Sequence, residues 1–447
     1  MKAKKIFTFV VCLFVTAFLS VGSAREICGA TLIVTRTDDV NANCNSNVSC
    51  SLREAVSAAA SGDTIMFSPQ VFNTPRVITL TGSGIRIFDK NLTIAGPGAN
   101  LLTVRIFDPS QYEVFDIGGT NLSVNISGMK IADGSNGIRI GFSNVSVNLE
   151  SVDVSNNAGE GIFAAGSVVR IFNSSIGGNH GGINNNNAAT MTIVNSTVSA
   201  NLSNHGAGII NFGTLNLVNV TIANNTATGM GGGIWNAGTV NLLNTIIAGN
   251  SAASGADANG VFSSRGNNLI GNTSGNSGWT ATDKTNQTAN LGSLALNGGA
   301  TPNHLPNAFS PAINAGNSCV VTNTCSISLP QSLANDQRGA GFARQVGGAV
   351  DIGAVERSAP SVAGISGRVL TPSGRGVGRA LIALTNSAGE TRFAVTNPFG
   401  FYRFASVPTG MNYTIAASSK QFAFSPQSIN LADEVTNLNF VASNQVQ

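Results

Sequence analysis

The sequence predicts an all-β chain: a parallel β-helix closed at its start by one short helix and followed by a small antiparallel β-sandwich. Three observations carry that expectation. A motif N-x-x-[IV]-x-x-N returns about every two dozen residues through the middle of the chain. Only 10% of residues are charged while 52 are Gly, a balance that departs from ordinary globular domains and suits a repeating β architecture. Beyond residue 363 the repeat gives way to longer alternating runs separated by Gly and Pro turns.

The chain opens with Lys2, Lys4 and Lys5, the apolar run Ile6 to Leu19, and Gly22-Ser23-Ala24. This is the layout of a secretory signal peptide over residues 1–24, with cleavage expected after Ala24. No comparable apolar run follows, so the mature chain is expected outside the cytoplasm with no membrane span. Removing the signal removes Cys12 and leaves Cys28, Cys44, Cys50, Cys319 and Cys325. Local pairs Cys44 with Cys50 and Cys319 with Cys325 are one reading in an oxidising compartment; sequence alone does not fix connectivity, and Cys28 is left over. No Cys-x-x-Cys spacing argues for zinc.

Residues 25–90 read as a cap. A β-helix has open ends whose strand edges and apolar bore recruit other chains unless covered. Ser51-Leu52-Arg53-Glu54 is a capping box, and Leu52, Ala55, Val56 and Ala59 then fall on one face of a helix over 52–60, with Gly62 as its stop. Thr64 to Phe67 and Val77 to Leu80 begin the first turns. A nucleophilic reading of Cys50 needs a His base and a free thiol, and Cys44 stands six residues away.

Residues 91–357 hold the repeat. Its central apolar residue recurs at Ile131, Val154, Ile176, Val198, Ile222 and Ile247. A Gly-plus-aliphatic step recurs at Gly137-Ile138, Gly161-Ile162, Gly182-Ile183, Gly208-Ile209, Gly233-Ile234 and Gly260-Val261. Each period holds three short strands, and stacking successive periods builds parallel sheets around an apolar bore. About eight turns from Asn91 to Gly271 predict a rod on the order of 40 Å. Asn173, Asn195, Asn219 and Asn244 are expected to stack as an Asn ladder, which is a structural device rather than a catalytic one.

Residues 358–363 read as a linker. Beyond it Ile365 to Leu370, Ala380 to Leu384, Phe401 to Phe404, Tyr413 to Ala416 and Leu438 to Val441 alternate as strands of a sandwich over 364–443.

The net charge is +3 and no Lys/Arg cluster interleaves with aromatics, so nucleic acid is not an expected partner. Glu150, Asp153, Glu160, Arg170 and Asp257 are spread over the turns, which does not match the clustered carboxylates and nearby base of a polysaccharide lyase. His180 and His205, 25 residues apart, are candidate metal ligands against the plainer reading as loop histidines. Asp39-Val-Asn41-Ala-Asn43 alternates oxygen donors and is a candidate calcium segment, though it lacks the Gly and distal Glu of an EF-hand loop.

The run Cys50-Ser-Leu-Arg-Glu-Ala55 followed by Gly62-Asp-Thr-Ile65 resembles the CSLREA domain found at the start of secreted bacterial repeat proteins. Asp336-Gln-Arg-Gly339, Gly348 to Glu356 and Ser310-Pro-Ala-Ile-Asn-Ala-Gly316 resemble the closing part of the choice-of-anchor Q domain, and Gly232-Gly-Ile-Trp-Asn236 is similar to repeats of polymorphic outer-membrane proteins. The resemblance implies a right-handed, pectate-lyase-like coil on a bacterial surface. Gly367-Arg-Val, Thr396 to Phe404 and Pro408 to Tyr413 resemble a carboxypeptidase-regulatory-like domain, which implies a transthyretin-type sandwich without catalytic residues of its own. Related modules hold a Lys-to-Asn isopeptide bond, but the first strand offers Arg368 and the domain's Lys is Lys420. The chain ends at Gln447 with no terminal apolar helix and no LPxTG-type motif, so an anchoring device is not expected there.

The function expected from these readings is non-catalytic: adhesion, or binding of an extracellular glycan or surface protein, without a cofactor. The alternatives are a polysaccharide lyase or glycoside hydrolase of the β-helix type, and a structural surface stalk.

Overall fold

A computed structural model describes residues 29–44, 48–109, 111–141, 144–186, 189–357, 362–386, 389–409, 411–431 and 434–445. The expected signal peptide and Cys28 lie outside the described residues. The chain divides into two compact units between Glu356 and Arg357.

The first unit is a parallel β-solenoid. In the central turns each repeat supplies two strands to an 18-stranded sheet and one to a nine-stranded sheet. In one turn these are Ser146–Glu150, Asp153–Ser155 and Ile162–Ala165. Alternation puts every second side chain inward. Ile131, Val154, Ile176, Val198, Ile222 and Ile247, the recurring residue of the motif, form one internal file with no exposed surface. Burial of this kind is worth about 1.5–3 kcal/mol per large aliphatic side chain.

The two Asn positions of the motif do different work. The first, at Asn173, Asn195, Asn219 and Asn244, takes φ values of 51°, 45°, 53° and 51°. It turns the chain between two strands in the left-handed region that Asn tolerates better than other side chains. Only Asn219 donates to another of these four, to Asn195 at 3.3 Å, so the expected ladder there is a file of corners. The continuous ladder runs instead through the last Asn of each repeat. Asn157, Asn179, Asn201 and Asn225 each donate Nδ2–H to the Oδ1 one turn on, at 2.8, 3.0, 2.9 and 2.9 Å, reaching Asn250. Each of those oxygens also accepts the backbone N–H of the donating Asn. The last position is inside the bend, where buried backbone groups need partners.

At the start, helix α1 (Leu52–Ala58) lies between the strands Thr31–Val34 and Asp63–Phe67, which pair with each other. Ser51 Oγ accepts the Glu54 N–H at 3.1 Å, and Glu54 Oε2 accepts the Ser51 N–H at 2.7 Å. Leu52, Ala55 and Val56 join the solenoid core. The helix ends at Ala58 rather than at 60, because Ala59 is extended and Asp63 Oδ2 takes the Ala60 N–H at 2.8 Å. Gly62 is not its stop but sits at φ 95° in the following turn. Cys44–Cys50 and Cys319–Cys325 are disulfides. At the other end Trp279 stacks on Phe262 with ring centroids 5.2 Å apart and packs against the core.

Residues 287–356 double back as a largely irregular strap containing the short helix α2 (Cys319–Thr322). Val320, Ile327, Leu329, Leu333 and Val350 cover Val194, Val218 and Leu243, an outward apolar row in register across three turns. Ala289, Ala312 and Ile352 cover Ile246, Ala248 and Leu269. Polar ties fix its course: Asn195 to the Asn335 carbonyl, Asn244 to that of Asn317, and Thr197 Oγ1 to Gln337 Oε1 at 2.6 Å. The closing motifs form one buried knot. Arg344, fully buried, donates to the carbonyls of Asp351, Gly353 and Ala354 and to Glu356. Asp336 accepts from Arg338 and from the Glu356 N–H.

The second unit is built from a three-stranded and a four-stranded sheet, with a short two-stranded pairing of Phe422–Ala423 with Asn444–Gln445. Val362–Leu370 pairs antiparallel with Phe401–Pro408, and Leu381–Asn386 lies between Thr391–Val395 and Met411–Ser418. Two pairings depart from the antiparallel expectation: Phe440–Val441 runs parallel to Val369 and Leu370, and Val435 forms a parallel bridge with Ile365. Ile365, Val369, Ile382, Leu384, Tyr402, Phe404, Tyr413, Ile415 and Phe440 fill its core. Among the described residues no helix is long and apolar enough to cross a membrane.

Candidate functional site

The nine-stranded sheet presents an outward file of one side chain per turn. The Gly-plus-aliphatic step builds it. Ile138, Ile162, Ile183, Ile209 and Ile234 point into the bore, whereas Val261 of the expected Gly260-Val261 step is 70% exposed and Ala258 takes the inward place opposite Ile234. The Gly before each packs against the next turn, and at Gly182 an added Cβ would meet the Gly208 carbonyl at 2.3 Å. The residue after each Ile therefore faces out. In register the file reads Arg86, Asp116, Arg139, Phe163, Asn184, Ile210, Trp235 and Asn259.

The file changes character along the axis. At its first turns Arg139 reaches Asp116 at 3.1 Å and Glu113 at 3.7 Å, and Arg86 lies 3.7 Å from Asp116 with its guanidinium 4.6 Å from the centre of the Phe88 ring. At its later turns the indole of Trp235 meets Phe212 edge-on at 5.3 Å and His205 at 5.8 Å. Phe212 is 45% exposed, so the cluster is a surface feature and not core. Asn184 Nδ2 donates to Glu160 at 3.3 Å, while its Oδ1 is buried without a partner among the described residues.

The residues singled out in the sequence are dispersed over the unit. His205 Nδ1 accepts the Met230 N–H at 3.1 Å, which leaves that nitrogen without a lone pair for a metal. His180 lines a separate cavity of 410 Å³ with Pro109, Asp133, Asn156 and Leu202. Among the described residues no three His, Cys, Asp or Glu groups converge in a way that could hold a metal. Both oxygens of Asp39 are occupied by Arg53, at 2.8 and 3.0 Å, and by the Thr81 amide. Asp153 pairs with Lys130 at 3.5 Å, and burial raises its carboxyl above the ordinary range. Glu150 and Arg170 stand in different files, opposite Phe172 and Asn148.

The Arg86, Glu113, Asp116 and Arg139 group is not among the candidates that the sequence offers. The available signal was spacing: Asp116 and Arg139 are 23 residues apart, one repeat. Trp235 lies within the repeat Gly232 to Asn236, and its outward facing follows from register, which the motif alone does not fix.

No curated protein matches the chain. Among solved structures it is similar to a crystal structure of pectate lyase Pel9A, with 15% identity over 74% of this chain and 96% of that one and a TM-score of 0.36. It is also similar to ORF18 of Geobacillus virus E2, with 10% identity over 93% of this chain and 75% of that one and a TM-score of 0.40. Residues 364–443 match the carboxypeptidase regulatory-like domain family, so the second unit is a domain of that kind.

Proposed function

We propose that this is a secreted or cell-surface protein that binds an extracellular glycan along the outward face of its nine-stranded sheet, with the second unit as a spacer. The observation that carries the reading is Trp235, an indole facing outward in register with Ile210 and Asn259 and buttressed by Phe212 and His205. An aromatic face offers a large apolar surface to the C–H side of a sugar ring. Asn259, one turn on, and Asn184, two turns back and donating to Glu160, supply hydrogen-bonding groups along the same file. Turns are spaced at about 4.8 Å, so an extended chain lying along the axis meets one file residue per turn. The resemblance of Cys50 to Ala55 and of the closing motifs to CSLREA and choice-of-anchor Q proteins supports the extracellular setting, as do the two disulfides.

The test is a glycan array with the full mature chain. Binding that falls at least tenfold in Trp235→Ala, with circular dichroism unchanged, supports the reading; equal binding by the variant overturns it. The second reading, glycan cleavage, draws on Glu113 and Asp116 converging on Arg139. It requires polysaccharide degradation that is lost in Asp116→Asn.

A further inference from the structure

In the second unit the strand Thr391–Val395 forms one edge of the four-stranded sheet. On its inner side it pairs antiparallel with Leu381–Asn386, Arg392 standing opposite Leu384 and Ala394 opposite Ile382. The bonds that flank this ladder run from the Asn386 N–H to the Glu390 carbonyl and from the Thr396 N–H to that of Ala380. Alternation from those two bonds turns the backbone groups of Arg392 and Ala394 inward and those of Thr391, Phe393 and Val395 outward. Among the described residues no strand meets that outward side.

The side chains along this edge are apolar and uncovered. Phe393 is 63% exposed, Val395 61%, and Leu381, which stands opposite Val395, 43%. Edge strands are kept from pairing with other chains by charge, by Pro, by bulges or by being short. The other edges of the two larger sheets have such protection. Phe401–Pro408 carries Arg403, paired with Glu434 at 3.6 Å, and its Ala405 and Ser406 carbonyls accept from Arg392. Gln427–Leu431 presents Ser428 and Asn430, and Phe440–Val441 is two residues long. Arg392 is thereby committed to the neighbouring strand, which leaves no charge on the outward positions of Thr391–Val395.

We propose that Thr391–Val395 pairs antiparallel with the same strand of a second copy of this chain, about a two-fold axis through Phe393. Thr391 of one copy then stands opposite Val395 of the other, and the two Phe393 residues face each other. Outward groups meet outward groups at every position, so each free N–H finds a carbonyl; a slip of one residue would set them against groups already used. Both Phe393 rings fall on the same face of the joined sheet, as an aromatic cross-strand pair. Arg392 comes opposite Ala394 rather than opposite itself, so no like charges oppose. An edge that complements itself in this way is an isologous interface, which selects a second copy over an unrelated strand. The interface is small, so the dimer forms and separates with concentration. The inference is independent of the glycan reading, since it uses no residue of the first unit.

The test is sedimentation equilibrium of the full mature chain over a range of concentration. The mean mass is expected to rise toward that of a dimer. Phe393→Lys, which sets two ammonium groups face to face at a surface position, is expected to lower the association constant at least tenfold with circular dichroism unchanged. Cross-linking reads the register, in a Cys28→Ser background so that Cys28 takes no part. Phe393→Cys is expected to give a covalent dimer under mild oxidation, because a hydrogen-bonded pair brings its Cα atoms to about 5.5 Å, within disulfide reach. Thr391→Cys is not, because its counterpart lies on the order of 13 Å along the strand. A monomer mass at every concentration, undiminished association of Phe393→Lys, or equal cross-linking of the two Cys variants overturns the proposal.

Discussion

Asn201 holds the solenoid together from both sides: its Oδ1 accepts the N–H and Nδ2–H of Asn179, while its own Nδ2 donates to the Ile176 carbonyl and to Asn225. Asn173, by contrast, contributes a backbone angle, φ 51°, at a corner. The same residue type, two positions in one motif, thus answers two different physical needs.

Asn201→Ala strands two donors of Asn179 in a buried bend. Unsatisfied buried groups cost about 1–3 kcal/mol each, so the variant is expected to lose about 2–6 kcal/mol, seen as an earlier thermal transition by circular dichroism. Asn173→Gly keeps the left-handed corner, and its transition is expected to move by less than about 1 kcal/mol. Equal effects of the two variants would contradict the division of labour.

Ser51→Ala removes the oxygen that accepts the Glu54 N–H and also donates to the Val40 carbonyl at 2.6 Å. Loss of such a cap costs about 0.5–2 kcal/mol. Leu52→Asp is more severe, because Leu52 is fully buried in the bore and an unpaired charge there has no compensation. Size-exclusion chromatography is expected to show aggregate for Leu52→Asp and monodisperse, less stable protein for Ser51→Ala.

The solenoid was legible in the sequence because its cause is local and repeated: an aliphatic at Ile131, Val154 or Ile176 must go inward in every turn. The strap was not legible. Residues 287–356 carry no period, and their positions are set by partners far away in the chain, as with Gln337 on Thr197, 140 residues apart. The outward row Val194, Val218 and Leu243 reads as surplus hydrophobicity until that cover is seen. The candidate site was half legible for a related reason. The Gly-Ile step marks where each strand enters, but whether Arg139 or Trp235 faces solvent follows from parity within the strand, which a slip of one residue reverses.

Glu356 supplies a pH signature. Its carboxyl is pushed up from 4.5 to about 7 by burial, against the pull of Arg344. A raised carboxyl holds its proton in the folded state longer than in the unfolded one. The stabilisation is therefore complete below about pH 4.5 and lost as pH rises through about 7, a contribution on the order of 3 kcal/mol. Melting temperature measured from pH 4.5 to 8 is expected to fall more steeply in the wild type than in Glu356→Gln, which cannot titrate. Parallel curves for the two proteins would remove Glu356 as the source.

His304 works in the opposite direction and tests the strap itself. Its Nε2 lies 2.8 Å from Ser199 Oγ and its Nδ1 lies 2.7 Å from the Gly292 carbonyl, so the neutral ring donates from Nδ1 and accepts the serine hydroxyl. The ring is 1% exposed, and burial lowers its pKa below the ordinary 6.5. The unfolded chain then takes up the proton first, and stability contributed by the neutral ring is lost as pH falls below about 6.5 toward the folded value. Protonation also removes the acceptor for Ser199, a tie between strap and sheet. In the Glu356→Gln background, which removes the opposing slope, backbone amides of residues 287–305 are expected to exchange hydrogen faster at pH 5 than at pH 7.5 after correction for intrinsic rates. His304→Gln is expected to exchange at the same corrected rate at both pH values. Acid-accelerated exchange that persists in His304→Gln would place the acid-sensitive group elsewhere.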